Sequence, residues 1–214
     1  MIGVAEALPP SQPLYRIGYL PDPLAWPSLQ YVGAGRFDDP IGRFRTLYAA
    51  EQRIGAFIES LARYRPSPGT LVELRNVVGA PDLSLLPVVP SDWWVRRCVG
   101  RFYLRDGQRW LDLREFGTRE ALRGELANTL VHLGLPDLDV STVRSLNRNL
   151  TRVIARWAYD HGYNGVAYTS RFDDDLDCWA IFEGAAFRRA GPPEVILPDD
   201  PDFRETLHLF NLHF

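Results

Sequence analysis

The chain has 214 residues, 46% of them hydrophobic and 24% charged, a balance that fits one domain with a sizeable core and excludes disorder beyond the ends. A formal net charge of -3 supplies no global field toward nucleic acid or an anionic membrane, and no run approaches the roughly 18 apolar residues of a membrane span. The cysteines Cys98 and Cys178 lie far apart and match no zinc or CxxC spacing, so a disulfide framework and a cysteine metal site are set aside and a reducing, cytoplasmic setting is expected.

The Pro-rich start reads as a loose leader over residues 1–14, and YRIGYL from Tyr15 to Leu20 as a first strand. A turn-rich stretch rich in glycine, proline and aromatics then runs to Phe44, without periodicity. From Thr46 to Tyr64, Leu47, Ala50, Ile54, Phe57, Ile58 and Leu61 recur at helical spacing, which predicts one amphipathic helix ended by Pro66-Ser67-Pro68-Gly69. Thr70 to Val78 reads as a strand, and the segment from Pro81 to Trp94 as a connection of no definite structure.

RCVGRFYL and QRWLDL are the next strands, with Asp106-Gly107 placed for a hairpin between them. A helix follows from Thr118, read as its cap, to Leu133, closed by Gly134. Another runs from Ser141 to His161, with Leu146, Leu150, Val153, Ile154 and Trp157 inward and Gly162 as its stop. GVAYTS and CWAIFE are apolar strands around an acidic loop, and the tail ending in ETLHLFNLHF reads as a packed terminal element. The expectation is an α+β fold, a mixed sheet with flanking helices: leader 1–14, catalytic domain 15–190, and a C-terminal extension 191–214 packed on it.

Among chemical signatures, a Walker loop, GxSxG elbow, HExxH and a dinucleotide fingerprint are all missing. Gly33 to Phe37 (GAGRF) continues into Asp38-Asp39-Pro40 where a Rossmann helix should open, so its glycines read as places of close backbone approach. His208 and His213 sit among Leu and Phe without a carboxylate or cysteine partner at ligand spacing, and read as packing rather than as a metal pair. What remains is Arg36 in the Gly-rich loop, Tyr48 at the opening of the predicted helix, and Glu59 eleven residues on, about three turns and so on the same face. That face is otherwise apolar, so a carboxylate there is paired or working. A salt bridge from Glu59 to Arg63 one turn on, a surface role for Arg36 and a core-edge role for Tyr48 are the plain alternatives.

The stretches YRIG, GAGRFDDP, FRTLYAA…AFIESLARYRP and GYNGVAYTSRFDDDLDCWAIF together resemble the RES family, named for its Arg, Glu and Ser, over roughly Tyr15 to Phe182. On that resemblance Arg36, Glu59 and Ser170 match the three family residues, and Tyr48 the aromatic position between them. The family is similar in fold to ADP-ribosyltransferases. Its characterised members are bacterial toxins that deplete NAD by phosphorolysis or hydrolysis, or modify a protein with ADP-ribose. The resemblance implies an NAD-cleaving enzyme, a small antitoxin partner and a homodimer, with no cofactor beyond NAD as substrate and inorganic phosphate as an optional co-substrate.

In that reading Glu59 holds the ribose and stabilises oxocarbenium charge, Arg36 grips the pyrophosphate, Tyr48 stacks on nicotinamide or orients the ribose, and Ser170 hydrogen-bonds the substrate. Arg16 is a second phosphate ligand or a buried partner for an acid. Tyr168, alternating with Ser170 along a strand, is a pocket wall or core. Arg43 and Arg45 are solvated charge, or serve inorganic phosphate. A protein-directed ADP-ribosyltransferase and a non-catalytic nucleotide-binding module are the rival readings. The absence of lysine, all 24 basic residues being arginine, hints at a high-GC bacterial genome and bears on no mechanism.

Overall fold

The computed structural model describes residues 3–78 and 88–214. Its strands are β1 (Leu14–Tyr19), β2 (Thr46–Ala50), β3 (Arg97–Leu104), β4 (Trp110–Asp112), β5 (Gly165–Thr169), β6 (Asp177–Phe182), β7 (Phe187–Arg189) and β8 (Glu194–Val195). Its helices are α1 (Arg53–Leu61), α2 (Pro68–Val78), α3 (Asp92–Val95), α4 (Phe116–Glu125), α5 (Ala127–His132), α6 (Val140–Arg144), α7 (Asn149–Asp160) and α8 (Pro201–Phe210). The strands form one mixed sheet in the order β4-β5-β6-β2-β1-β3-β7, with β8 beside β7 on β3 and, among the described residues, only the β4–β5 strand pair parallel. The fold is α+β, as the sequence predicts.

Strand alternation divides the core between the two sheet faces. Ile17, Tyr48, Ala50, Val99, Val166, Tyr168, Cys178 and Ala180 face the helical layer, where they meet Phe57 and Leu61 of α1, Ile154 and Ala158 of α7, and Phe203 and Phe210 of α8. Leu14, Leu47, Ala49, Phe102, Ala167, Trp179 and Ile181 face the other way and are covered by Leu24, Trp26 and Phe187. The sheet must also curl. Six Cα steps from Leu104 to Trp110 reach at most about 21 Å, whereas five flat strand spacings, β3 to β4, need about 24 Å.

Several expectations are corrected. Thr46–Ala50 is a strand and not the first turns of a helix, because it lies between β1 and β6 with both faces buried, in register from Thr46↔Phe182 to Ala50↔Cys178. A short run apolar on both faces satisfies helical and extended patterns alike. The predicted strand 70–78 is the helix α2: Ser67 Oγ accepts from the Thr70 N–H at 3.1 Å and Pro68 takes the first helical position, so Ser-Pro starts this helix as well as following α1. Asp106-Gly107 turns the chain, yet β3 pairs with β1 and β7 while β4 pairs with β5, so there is no hairpin. Residues 79–87 of the unassigned connection lie outside the described residues.

The helix expected from Thr118 to Leu133 breaks at Leu126 into α4 and α5, and Thr118 is no cap: it is buried, and its Oγ1 accepts from the Ala5 N–H at 2.9 Å. Nor is the leader loose. Ala7 N–H donates to Trp110 O at 2.8 Å and Asp112 N–H to Ala5 O at 3.1 Å, so the segment covers the free edge of β4. The helix expected from Ser141 to His161 is also two helices, and Leu146 between them is 77% exposed rather than inward. Local bonds cause the break, with the Asn147 N–H donating to Ser145 Oγ at 2.9 Å and the Asn149 N–H to Asn147 Oδ1 at 3.0 Å. Gly134 and Gly162 end their helices with φ of 66° and 76°, as expected.

Candidate functional site

The break between α6 and α7 creates the seat of Arg36. Carbonyls there that would otherwise continue a helical ladder are free to accept, and Arg36 Nη1 donates to Val143 O at 2.6 Å and Ser145 O at 2.9 Å. The loop around it is tied internally by Asp38, a buried carboxylate that accepts from the Gly33 and Gly35 N–H groups at 3.0 and 2.7 Å. Tyr48 closes the knot from β2: its hydroxyl donates to Asp38 Oδ1 at 2.7 Å and accepts from the Phe37 N–H at 2.8 Å. Gly35 is required by this approach, since a Cβ there would lie 2.3 Å from the Tyr48 hydroxyl. From outside, Arg152 Nε reaches Gly35 O at 3.2 Å, Arg148 bonds Ala34 O, and Arg156 pairs with buried Asp39.

Tyr48 and Glu59 therefore do not share a helix face. Tyr48 points from the sheet into the helical layer, and Glu59 stands near the end of α1 with its side chain exposed, not desolvated among apolar neighbours. Glu59 is not bridged to Arg63 among the described residues. It accepts instead from Ser170 Oγ at 2.6 Å. Ser170 is fully buried at the end of β5, on the same sheet face as Tyr168, and its hydroxyl also accepts from the Phe172 N–H at 3.2 Å.

Arg36, Tyr48, Glu59, Ser170 and Tyr168 are thus brought to one side of the sheet, and their charges sense one another. Burial lowers the pKa of Arg36, partly offset by Tyr168 and Glu59, while Arg148 and Arg171 lower it further. Burial pushes the phenols of Tyr168 and Tyr48 well above their ordinary value, with Asp38 adding to the effect at Tyr48, so both rings stay neutral hydroxyl donors. Arg36, Arg148, Arg152 and Arg171 have no carboxylate within salt-bridge distance among the described residues, leaving unneutralised positive charge on the side of Glu59 where Arg36 lies.

Other expected contributors are placed elsewhere. Arg16 projects from the opposite sheet face, where it donates to Pro23 O at 3.0 Å and Tyr48 O at 2.9 Å, and burial lowers its pKa to about 10. It is neither beside Arg36 nor paired with an acid among the described residues; it fastens the Pro23 segment and β2 to β1. Arg45 is held by Glu183 at 2.8 Å from Nε, and Arg43 lies 3.8 Å from Asp160. Behind Tyr168, a cleft of about 80 Å³ is lined by Val143, Arg114, Arg119 and Arg144, two of which already pair with carboxylates.

The profile of the RES domain matches residues 13–204, most of the chain. The chain belongs to the RES family. No curated protein sequence matches it. Among solved structures, this RES domain is similar to a chain of the M. tuberculosis MbcT-MbcA toxin-antitoxin complex, at 14% identity and a TM-score of 0.53, covering 87% of this chain and 85% of that one. At that identity the likeness concerns the fold.

Asp38, Arg148, Arg152 and Arg171 escaped notice in the sequence. Asp38 carried a signal, an acidic residue three places after a loop glycine, which is the spacing of a side chain that closes its own turn. The arginines carried none, because their grouping depends on the helix break.

Proposed function

We propose that this RES domain cleaves the nicotinamide–ribose bond of NAD, with water or inorganic phosphate as acceptor, and acts as the toxin of a toxin–antitoxin pair. The carrying observation is the Glu59–Ser170 pair beside arginines that lack carboxylate partners. Nicotinamide in NAD is a cationic leaving group, so the C1′–N bond breaks with its electron pair neutralising the pyridinium, and no general acid is needed. Positive charge then builds on the ribose. Glu59, held by Ser170 Oγ, stabilises it at the moment it develops, and the acceptor oxygen bonds to C1′ as its proton leaves to solvent.

Arg36, anchored on the Val143 and Ser145 carbonyls through one nitrogen, offers its remaining donors to the pyrophosphate, with Arg148 and Arg152 as neighbouring charge. Tyr48 acts by holding the Arg36 loop, since its hydroxyl is committed to Asp38 and Phe37. Tyr168 serves as the wall behind that loop, its ring 4.6 Å from that of Phe37. The partner is a proteinaceous antitoxin, a reading supported by RES membership and by the toxin–antitoxin complex that shares the fold.

Purified protein incubated with NAD, with and without phosphate, should release nicotinamide and leave ADP-ribose or its 1-phosphate. Glu59→Ala should lose release by about 10³-fold and, because it leaves the buried Ser170 hydroxyl without its acceptor, cost about 1–2 kcal/mol of stability. Glu59→Gln, whose amide oxygen still accepts from Ser170 Oγ, should lose release with its melting temperature little changed. An ADP-ribosylated protein in place of a small product would move the assignment to a protein-directed transferase. Bound NAD with no turnover would move it to a binding module.

A further inference from the structure

The Glu59–Ser170 pair is supported by α8, which packs on both of the segments that carry it. The Phe172 N–H donates back to Ser170 Oγ, so where Phe172 sits fixes where that hydroxyl can point. The half-buried Phe172 ring packs against Phe210, the last residue of α8, with centroids 5.5 Å apart. Arg65, four residues after α1, lies over both rings at 6.0 Å and 5.4 Å. The opening of α8 holds the other partner: Asp200 and Asp202 bind Arg53 at the start of α1, and Phe203 packs 6.1 Å from Phe57, two residues before Glu59.

One ten-residue helix thus grips both segments of the pair, α1 at one end and the loop after Ser170 at the other. The RES profile matches up to residue 204, within α8, and Phe210 lies six residues past the matched span. We propose that α8 is a brace that sets the geometry of the Glu59–Ser170 pair, with Phe210 a positioning residue acting through Phe172, an inference that rests on the NAD-cleaving reading. Docking two catalytic segments on one rigid element suppresses their relative motion, and errors of about 1 Å in such sites cost on the order of 10²-fold in rate.

The test is steady-state kinetics of nicotinamide release by the full chain. Phe210→Ala should lower kcat about tenfold and leave KM for NAD within about twofold, because the Arg36 loop is held by α6 and α7 rather than by α8. Phe210→Leu, which keeps most of the packing, should recover most of the loss. Leu104→Ala, a comparable cavity on the opposite sheet face, should lower Tm without touching kcat. Unchanged kcat in Phe210→Ala, or an equal kcat loss in Leu104→Ala, overturns the brace. If Phe210→Ala does not fold, Phe172→Ala carries the same reading from the opposite ring. If wild type releases no nicotinamide, the NAD reading fails by itself; the brace is then read from hydrogen exchange, where a faster Phe172 amide in Phe210→Ala supports it and an unchanged one overturns it.

Discussion

Arg53 and Arg114 differ from Arg36 in what surrounds the same guanidinium group. Arg114 makes a two-pronged bond to Asp112, at 2.9 and 2.8 Å, and a third to Asp177 at 2.7 Å; Arg53 meets Asp200, Asp202 and, at 3.5 Å, Glu194. Hydrogen bonding to these carboxylates raises the pKa of both. Arg36 is buried to a similar degree yet spends its bonds on two main-chain carbonyls, and burial lowers its pKa. Saturated arginines fasten elements together. An arginine fixed by neutral acceptors keeps its net charge available to an anion, at a desolvation cost that the anion would relieve.

Among the arginines compared, the largest effect should come from that available charge. Arg36→Ala is expected to lower kcat/KM for NAD about 10²-fold, the loss of one or two charge-assisted bonds to phosphate, while stability falls by only about 1 kcal/mol. Arg36→Lys should recover little, because a single ammonium cannot hold both carbonyls and also reach a phosphate. Arg114→Ala should show the reverse. Leaving Asp112 buried and unpaired should cost about 2–3 kcal/mol by denaturant melts, with kcat/KM within about twofold of wild type. If Arg114→Ala lost turnover instead of stability, the distinction between fastening and binding arginines would collapse.

Which of these groups could be seen in the sequence follows from how local their causes are. Tyr168 and Ser170 fall on one face by strand alternation alone, and the structure keeps them there. Gly134 and Gly162 ended helices because a left-handed residue must. Leu47, Ala50 and Ile54 fit a helical stripe that places Tyr48 in a helix, and only the register with β6 shows that both faces of this run are buried. The break after Arg144 is written in Ser145 and Asn147, whose side chains bond nearby backbone, but helical periodicity resumes beyond it and hides the gap. The seat of Arg36 depends on that gap and on a loop over 100 residues away, a juxtaposition that no local pattern encodes.

A smaller effect separates the site's frame from its charge. Tyr48→Phe removes the bond to Asp38 and the acceptor for the Phe37 N–H, and should cost about 1–2 kcal/mol. Hydrogen exchange should quicken at Gly33 and Gly35, whose amides rely on Asp38, and KM for NAD should rise a few-fold as the Arg36 loop loosens. A kcat loss as deep as that of Glu59→Ala would instead give Tyr48 a direct part in the chemistry.

The smallest effect tests the fastening side by pH. Bonds from Arg53 and from the Phe203 and Asp202 N–H groups outweigh burial and hold the Asp200 carboxyl below its ordinary value. A carboxyl depressed in the folded state contributes stability that is complete above its unfolded pKa, near 4, and is lost as pH falls through the lower folded value. Asp200→Asn keeps a competent helix cap while removing the charge facing Arg53, so it should be about 1 kcal/mol less stable than wild type at pH 7. Other carboxylates titrate in both proteins and cancel in the difference. The gap between the two should therefore close as pH drops from about 4 toward 2, and a gap that stayed open at pH 2 would show that Arg53 and Asp200 hold α1 to α8 by packing and not by charge.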